Sequence, residues 1–316
     1  MRILYIGDFI KGNGPSTVDM SLKNRFNNKG HSLYFFQSND IKNFVNSLRK
    51  VHTYDVIHVS GVSFLGFLFL IFARIFRKKC TMTMHGSLNH EKNYRKVRFY
   101  RMVLESLQIN LSHVIFPVSS LLAKNIDSLK TQAIPNGYTP ITAEAKNKKK
   151  NLVTLIGGGR SEKRNLDVCR AVDEINKRYG LDILVNVFGE LGIHTKLIND
   201  FEFVNNYGFC SKDRVYESLR ESYLFIQYSE YEPFSLSVCD AINYKCRIIT
   251  SGNVGINQFI KSNDFFKVVN NHDALLEAIL NFSLGCDNRE ASYDHKLMTW
   301  DEVSNAYLDC WVNISK

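Results

Sequence analysis

Short apolar runs alternate along the chain with longer segments in which apolar residues repeat at helical spacing. The runs are RILYIG, SLYFF, DVIHVS, CTMTMHG and HVIFPVS, then LVTLIGG, DILVNVFG, FEFVNNYG, SYLFIQYS, CRIITSG and FFKVVN. Runs of this length predict buried parallel strands, and the segments between them predict helical crossovers. The pattern therefore predicts an α/β protein with two open parallel sheets side by side. Because such sheets bind ligands at the carboxyl ends of their strands, we expect a ligand cleft between them.

The length of the chain and one basic segment predict how it divides into domains. At 316 residues the chain exceeds the size that one core usually supports, so two domains of about 150 residues are expected. The polar and basic run AKNKKKN, residues 145–151, separates the two groups of strands. We therefore expect domains over 1–147 and 148–298. The last segment, 299–316, has the apolar stripe of a helix, with Thr299 or Asp301 as its cap.

Charge and cysteine content indicate the partners and the compartment of the protein more than its activity. Lys and Arg outnumber Asp and Glu by 40 to 31, which favours phosphates, anionic lipid headgroups or nucleic acid as partners. The seven cysteines form no CxxC pair, which argues against a disulfide framework or a zinc site. No secretory signal is visible. The cytoplasm is therefore the expected compartment.

The longest apolar run, Val62–Phe76, is shorter than the roughly 17 to 25 residues that cross a bilayer, and it contains Arg74. It predicts a buried or half-buried helix packed on a sheet. The alternative is a face in contact with a membrane, which would suit the basic residues that follow, Arg77, Lys78 and Lys79.

The strongest chemical signal lies in Ser229–Gly255, where a strand leads into a predicted helix. Pro233 fits the first turn of a helix, which leaves the Glu232 carboxylate in the preceding loop, available to sugar hydroxyls. Asp240 follows on the second helical turn and can bind another pair of hydroxyls, such as a ribose diol. The start of the helix favours a diphosphate through the backbone N–H groups of Phe234, Ser235 and Leu236.

The second signal is a glycine triplet followed by basic residues. Glycines such as Gly159 let a ligand approach the backbone. Arg160, together with Lys163 or Arg164, can neutralise the charge of a diphosphate.

A glycine-containing loop also follows the first predicted strand. Its Gly12 and Gly14 can bring backbone N–H groups to the phosphates, although an ordinary turn explains them almost as well. Neither glycine-rich segment completes the G-x-G-x-x-G pattern, so a dinucleotide-dependent enzyme is disfavoured.

The segment Glu232-Pro-Phe-Ser-Leu-Ser-Val-Cys-Asp240 resembles the motif E-P-F-G-L-x-x-x-E of the retaining GT-B glycosyltransferases of family 4. Ser235 replaces the usual glycine, and an aspartate replaces the second glutamate. In that family an Arg and a Lys after the first strand of the second domain hold the donor phosphates. Arg160 matches that Arg. For the second cation, Arg164 precedes an Asn as in the family's K-N pair, whereas Lys163 preserves the residue type, and we favour Arg164.

Further matches follow in the family's order along almost the whole chain. Tyr54–Ser60 resembles its D-V-I-H-V-H strand, within which His58 is predicted to be a hydrogen-bonded core histidine. Met84-His85-Gly86 resembles its H-G turn, which implies that His85 lies over the donor sugar. Ile134–Gly137 matches its I-P-N-G turn, where we expect positive φ at Asn or Gly. The helix of 299–316 resembles the one that returns to the first domain.

The resemblance implies a metal-independent transferase that retains the anomeric configuration. It needs no cofactor, and its donor is a UDP-sugar or a GDP-sugar. It assigns Arg160 and Arg164 to the leaving diphosphate, Glu232 to the sugar and Asp240 to the ribose. The implied acceptor is a glycan or a lipid-linked saccharide of bacterial O-antigen or capsule assembly, reached by peripheral contact with the inner face of the membrane.

Three other functions are compatible with parts of this sequence. Another GT-B enzyme, such as a phosphorylase or an epimerase, would differ in the product formed from the donor alone. A non-catalytic partner subunit would keep the fold without turnover, and the substitutions at Ser235 and Asp240 leave room for it. Nucleic-acid binding is disfavoured because the basic residues do not interleave with aromatic residues in any recognised module.

Overall fold

The computed structural model describes residues 1–10, 12–26, 32–126, 128–141, 148–285 and 289–316. The chain divides into two compact units. The N-terminal unit comprises Met1–Thr139 and Met298–Lys316, and the C-terminal unit comprises Pro140–Leu297. The predicted domain boundary, between residues 147 and 148, lies C-terminal to this division between Thr139 and Pro140. Of the basic run that motivated it, residues 145–147 lie outside the described residues, and Lys149 begins a strand.

The N-terminal unit is built on a five-stranded parallel sheet in the order β2-β1-β3-β4-β5. Its strands are β1 (Arg2–Gly7), β2 (Ser32–Gln37), β3 (Val56–Ser60), β4 (Lys79–Met84) and β5 (Val114–Pro117). Its helices are α1 (Gly14–Phe26), α2 (Ile41–Arg49), α3 (Phe64–Ile75), α4 (Leu88–Glu91), α5 (Phe99–Leu111) and α6 (Ser120–Ala123), with a 3₁₀ turn at Val51–Thr53. Strands β1, β3 and β4 are mostly buried because helices cover the sheet, whereas the edge strand β2 is partly exposed.

Helix α3 shows that the longest apolar run is a core helix, as predicted. Ser63 caps it by accepting the N–H of Gly66, and Leu65, Phe69 and Leu70 are buried in the core. Only its ends carry exposed apolar side chains, on Phe64 and Ile75. Across the described ranges, no helix is both long enough and apolar enough to cross a membrane.

The C-terminal unit contains a six-stranded parallel sheet in the order β11-β10-β9-β6-β7-β8. Its strands are β6 (Lys149–Ile156), β7 (Leu184–Phe188), β8 (Val204–Gly208), β9 (Ser222–Gln227), β10 (Arg247–Ser251) and β11 (Phe266–Val269). Its helices are α7 (Asn165–Tyr179), α8 (Thr195–Asn199), α9 (Lys212–Glu221), α10 (Leu236–Asn243) and α11 (His272–Leu284), with 3₁₀ turns at Ser161–Lys163 and Gly255–Phe259. Each predicted apolar run forms a strand, which confirms the predicted fold class.

The last helix, α12 (Trp300–Ser315), belongs to the N-terminal unit. Thr299 caps it in a capping box with Glu302, so Thr299 and not Asp301 is the cap. Trp311 is fully buried, with its ring 5.4 Å from that of Phe26. The prediction of positive φ in the Ile134–Gly137 turn is wrong. A glycine is needed there for another reason, since a Cβ on Gly137 would lie 2.3 Å from the Trp300 ring.

Candidate functional site

The order of strands in the C-terminal unit indicates where a ligand binds. From β6 the chain moves to β7 and β8 on one side, and then to β9, β10 and β11 on the other. The topological switch point therefore lies between the neighbours β6 and β9, where the connections diverge and leave a crevice at the carboxyl ends of the strands. The loops that follow these strands, 157–164 and 228–235, contain most of the residues that the sequence analysis selected.

These two loops are joined by one backbone hydrogen bond and two ion pairs. The Glu230 N–H donates to the Glu162 carbonyl at 2.8 Å. The Lys163 ammonium contacts the Glu232 carboxylate, and these two side chains are only 11% and 17% exposed. Arg164 lies 3.3 Å from the Glu230 carboxylate. The structure thus brings Glu232 together with Lys163, one of the two predicted alternatives for the second cation.

Arg164, the alternative that the sequence favoured, has other partners. Its backbone φ of 53° turns it away from the helical path, and its Nε donates to Asp167 at 2.8 Å. The guanidinium also lies 4.3 Å from the centre of the Tyr228 ring. Arg160 is half-exposed, and its Nε donates to the Gly157 carbonyl at 3.2 Å. Tyr228 was not found by sequence reasoning because a buried aromatic at the end of a strand usually indicates only packing.

The glycine triplet has a partner other than the predicted ligand. A Cβ on Gly158 would lie 2.0 Å from the Glu190 carbonyl oxygen, and one on Gly159 would lie 2.1 Å from Thr195 Oγ1. Gly159 was predicted to let the donor approach the backbone, and its N–H donates to the Glu190 carbonyl at 3.1 Å. These glycines therefore allow the loop after β6 to pack against the loop after β7.

The start of α10 differs from the prediction. The helix begins at Leu236 and not at Pro233, because Glu232 is held in a short bridge with Val254. The Glu232 N–H donates to the Asn253 carbonyl at 3.0 Å, and this pairing keeps the backbone at Glu232 out of the helix. Glu232 lies in the loop, as expected. Among the described residues, no partner accepts the backbone N–H groups of Phe234, Ser235 or Leu236, which leaves three donors for an anion.

Ser235 explains why a glycine is usual at its position. It has a φ of 93° and is buried, a backbone conformation that L side chains rarely adopt. Its Oγ lies 3.0 Å from that of Ser237, whose hydroxyl donates to Gln227.

We predict that Ser235→Gly raises the free energy of unfolding by about 1 kcal/mol, because glycine adopts positive φ without a steric penalty. Thermal and urea unfolding measure this effect. The matched control is Ser237→Gly, inside α10 at negative φ, which should lower the free energy of unfolding by about 1 kcal/mol. A Ser235→Gly variant that is no more stable than the wild type would show that Ser235 is not strained.

Asp240 lies on α10, and its environment opposes its charge. Burial raises the pKa of the Asp240 carboxyl from 3.8 to about 7, and the nearby charge of Lys212 on α9 only partly offsets this. Tyr216, also on α9, has its pKa raised to about 12, mainly by burial and next by the charge of Asp240. The sequence predicted that Asp240 binds ribose, and this role stays a prediction.

The raised pKa of Asp240 makes the stability of the protein depend on pH. Between about pH 4 and pH 7 the native state holds a proton that the unfolded chain has released, so stability falls as the pH rises through this window. We expect Asp240→Asn to abolish this loss. Its free energy of unfolding, relative to that of the wild type, should therefore be higher at pH 8 than at pH 5 by about 2 kcal/mol. Urea unfolding at both pH values measures it. Asp213→Asn, an exposed change on α9, is the control. An advantage of Asp240→Asn that is equal at both pH values would contradict this expectation.

In the N-terminal unit, the loop with Gly12 and Gly14 is exposed. Gly12 has a φ of 71°, and α1 begins at Gly14, earlier than the sequence indicated. The Asn13 side chain accepts the N–H of Ser16 at 3.0 Å and so caps this helix. The role of both glycines in phosphate binding stays a prediction.

The two histidines of the N-terminal sheet have different surroundings. His58 is fully buried, and its ring nitrogens lie 2.9 Å and 3.2 Å from the hydroxyls of Thr81 and Thr83, which confirms it as a core histidine. His85 follows β4 and is partly exposed, with its Nε2 at 2.8 Å from Ser60 Oγ. Burial lowers the pKa of His85 to about 4, so its ring is neutral near neutral pH.

Comparisons with known proteins agree with this architecture. Residues 141–292 match the family model of the glycosyl transferases group 1. No curated protein sequence matches the chain. The catalytic domain of starch synthase IV from Arabidopsis thaliana, bound to ADP and acarbose, superposes with a TM-score of 0.73 at 12% identity, over 99% of both chains.

Two other solved structures are also similar. Anabaena Alr3699/HepE in complex with UDP and glucose has a TM-score of 0.67 at 11% identity, over 100% of this chain and 97% of its own. The lipopolysaccharide outer core galactosyltransferase WaaB has a TM-score of 0.61 at 15% identity, over 98% of this chain and 100% of its own. At such identities the likeness shows the fold.

The chain therefore has the GT-B fold, with two units that each contain a parallel sheet, and shares this fold with these proteins. Nearly all of the C-terminal unit also lies within the match to the glycosyl transferases group 1.

Proposed function

We propose that the protein is a retaining, metal-independent glycosyltransferase that moves a sugar from a UDP-sugar or a GDP-sugar to a glycan or a lipid-linked saccharide. The observation that carries this proposal is the pair formed by Lys163 and Glu232 at the switch point between β6 and β9. A cation suits a diphosphate, and a carboxylate suits the hydroxyls of a sugar. The two ends of a nucleotide-sugar donor thus have adjacent partners.

The diphosphate site in this proposal consists of Lys163, Arg160 and the start of α10. The N–H groups of residues 234–236, which have no partner within the described ranges, lie just after Glu232 in the chain, and the positive end of the helix dipole adds to them. These positive groups stabilise the charge that develops on the leaving diphosphate, which is the task a metal ion performs elsewhere. Arg164 then acts indirectly, by fixing the loop through Glu230 and Asp167.

Glu232 has two partners in turn under this proposal. In the free protein it holds Lys163, and when the donor is bound it accepts hydrogen bonds from the sugar while Lys163 binds phosphate. Asp240 binds the ribose. The anomeric configuration is retained because the acceptor attacks on the face from which the diphosphate leaves, so no protein carboxylate forms a bond to the sugar.

The test is a transfer reaction in EDTA with a panel of UDP-sugars and GDP-sugars and a panel of saccharide acceptors. We expect nucleoside diphosphate to be released with one donor, the rate to survive chelation, and the product to have the donor's anomeric configuration by NMR coupling constants. Loss of turnover in EDTA with recovery on adding magnesium would contradict metal independence. Formation of a sugar phosphate or of an epimerised donor would favour the alternative GT-B enzymes.

We also propose that the protein contacts the inner face of the membrane peripherally, through helix α5 in the N-terminal unit. One side of this helix exposes apolar side chains, and exposed basic residues precede it, an arrangement that suits an anionic lipid surface. The apolar residues are Phe99, Tyr100, Val103 and Leu107, and the basic ones are Lys92, Lys96 and Arg98. WaaB, a fold neighbour named for lipopolysaccharide, supports an acceptor at such a surface.

Sedimentation with vesicles tests this contact. The protein should sediment with vesicles that contain phosphatidylglycerol, dissociate at high salt, and sediment less when Phe99 and Tyr100 are both changed to Ser. Phe64→Ser, a change of an exposed apolar residue at the start of α3, is the control. Binding that salt does not reverse, or that both variants retain, would contradict the proposal.

A further inference from the structure

A cluster of basic side chains lies at the amino ends of two strands of the N-terminal sheet. Lys79 begins β4, His113 directly precedes β5, and Arg74 lies in the last turn of α3, which leads into β4. Lys130, in the segment after α6, donates to two carbonyls at the end of α5, at 3.2 Å and 3.3 Å. Ligands of parallel sheets bind at the carboxyl ends of the strands, so this cluster is separate from a ligand crevice of the unit.

A backbone group fixes the tautomer of His113. The Cys80 N–H donates to His113 Nδ1 at 2.9 Å. A backbone N–H can only donate, so Nδ1 carries no proton and the neutral ring has its proton on Nε2. Burial, and next the positive charge of Arg74, holds the pKa of the His113 imidazole below its usual value, so the ring is neutral near neutral pH. His113 Nε2 is therefore a donor.

A second donor faces this one. Arg74 Nη1 lies 2.5 Å from His113 Nε2, and a guanidinium has no acceptor atom. Two N–H groups directed at each other form no hydrogen bond, so both lack an acceptor at this contact. Within the ranges that the structure describes, Arg74, Lys79 and Lys130 form no ion pair with a carboxylate. An oxyanion is the kind of group that would accept from both donors and match the charge around them.

The ends of two helices explain part of this cluster. Cations are favoured at the C-terminal end of a helix, and α3 and α5 both end here, which accounts for Arg74 and Lys130. That role does not account for the contact between Arg74 and His113, because the imidazole offers Arg74 no acceptor. Arg77 and Lys78 add two further cations in the turn between α3 and β4. The concentration of positive charge therefore exceeds what the helix ends require.

We propose that Arg74, His113 and Lys130 form a binding site for a phosphate group. A phosphate group has several strong acceptor oxygens, so it can accept from an imidazole N–H, a guanidinium and an ammonium together. Arg74 is exposed, so its guanidinium can move to admit an oxygen atom beside His113 Nε2. The phosphate group can belong to a lipid headgroup or to a free phosphate ion. This inference does not depend on the proposed sugar transfer.

Nitrogen NMR of the full chain, labelled with nitrogen-15 at histidine, tests the site with inorganic phosphate as the probe. His113→Asn identifies the His113 signals, because the side-chain oxygen of Asn can still accept the Cys80 N–H. We expect Nδ1 in the unprotonated range and Nε2 in the protonated range. Phosphate should shift the Nε2 signal, and chloride at the same ionic strength should not. A wild type with its proton on Nδ1, or His113 signals that both anions change equally, would overturn the proposal.

Vesicles distinguish the two sources of the phosphate group. If a lipid headgroup is the source, vesicles that contain phosphatidylglycerol should sediment the wild type more than Arg74→Gln, and inorganic phosphate should compete with them. If the source is free phosphate, both proteins should sediment equally while the NMR shift persists. Either result supports a phosphate site. A wild type that transfers no sugar would contradict the proposed function and leave these results unaffected.

Variants test whether the named cations hold the phosphate. Arg74→Gln and Lys130→Met should each raise the phosphate concentration that gives half of the NMR shift by about tenfold, the effect of one lost charged hydrogen bond. Lys124→Met, a change of an exposed cation at the end of α6, is the matched control and should leave that concentration unchanged. Melting temperatures verify that all variants are folded. A shift that both Arg74→Gln and Lys130→Met retain would indicate an adventitious ion only and overturn the proposal.

Discussion

Replacing Glu232 by glutamine should lower the rate of sugar transfer by roughly ten- to a hundredfold. The charged hydrogen bond that it removes is worth about 1.5–3 kcal/mol, and the loss is larger if the contact strengthens in the transition state. Nucleoside diphosphate affinity should stay equal or increase slightly, because Lys163 loses the carboxylate that competes with phosphate for it. Initial rates and calorimetric titration of the same preparation measure both quantities.

Glu230→Gln is the matched control, since Glu230 lies on the same loop, is exposed, and pairs with Arg164. We expect its rate to remain close to that of the wild type. If Glu232 only stabilised the loop, its replacement would lower the melting temperature and leave the rate per folded molecule nearly normal. That result would remove Glu232 from the site.

Lys163→Met should weaken the binding of nucleoside diphosphate by roughly ten- to a hundredfold, whereas Arg164→Met should weaken it far less. The difference follows from the partners of the two cations. In the part of the chain that the structure describes, the Lys163 ammonium is held only by the Glu232 carboxylate, and the donor sugar can replace Lys163 as the partner of that carboxylate. The Arg164 guanidinium is already bonded to Asp167 and Glu230 and stacks on Tyr228. Loss of one charged hydrogen bond to phosphate accounts for the expected size.

Calorimetric titration with UDP and GDP in EDTA measures this prediction, with melting temperatures to detect misfolding. Arg164→Met is expected to lower stability more than affinity. A larger loss of affinity for Arg164→Met than for Lys163→Met would restore the assignment that the sequence favoured and contradict the geometric one.

The central strands were predictable because parallel strands buried on both faces, such as β9, appear as continuous apolar runs, whereas the partly exposed edge strands β2 and β8 have interrupted runs. The start of α10 was not predictable, because Pro233 is compatible with the first turn of a helix and so indicated too early a start. Its actual start depends on the bridge between Glu232 and Val254, residues that are distant in sequence. Such tertiary contacts override local preference.

The sequence could not decide whether Lys163 or Arg164 is the second cation for the diphosphate, for a similar reason. The left-handed φ at Arg164 sends two neighbouring side chains to different partners, and nothing in the order of residues reveals this φ. The burial of Asp19 on α1 was not predicted, although the sequence contains a signal for it. It shares a helical face with Leu22 and Phe26, which are both buried, and a carboxylate on such a face needs buried partners.

Hydrogen exchange with and without nucleoside diphosphate, in EDTA, tests the location of the donor site most directly. With bound UDP or GDP, exchange should slow in peptides that cover residues 157–165 and 229–237. The largest effect should be at Phe234, Ser235 and Leu236, whose N–H groups lack a partner among the described residues of the free protein. Unchanged exchange in both loops at a saturating concentration of the nucleotide, or slowing confined to another part of the C-terminal unit, would contradict the account.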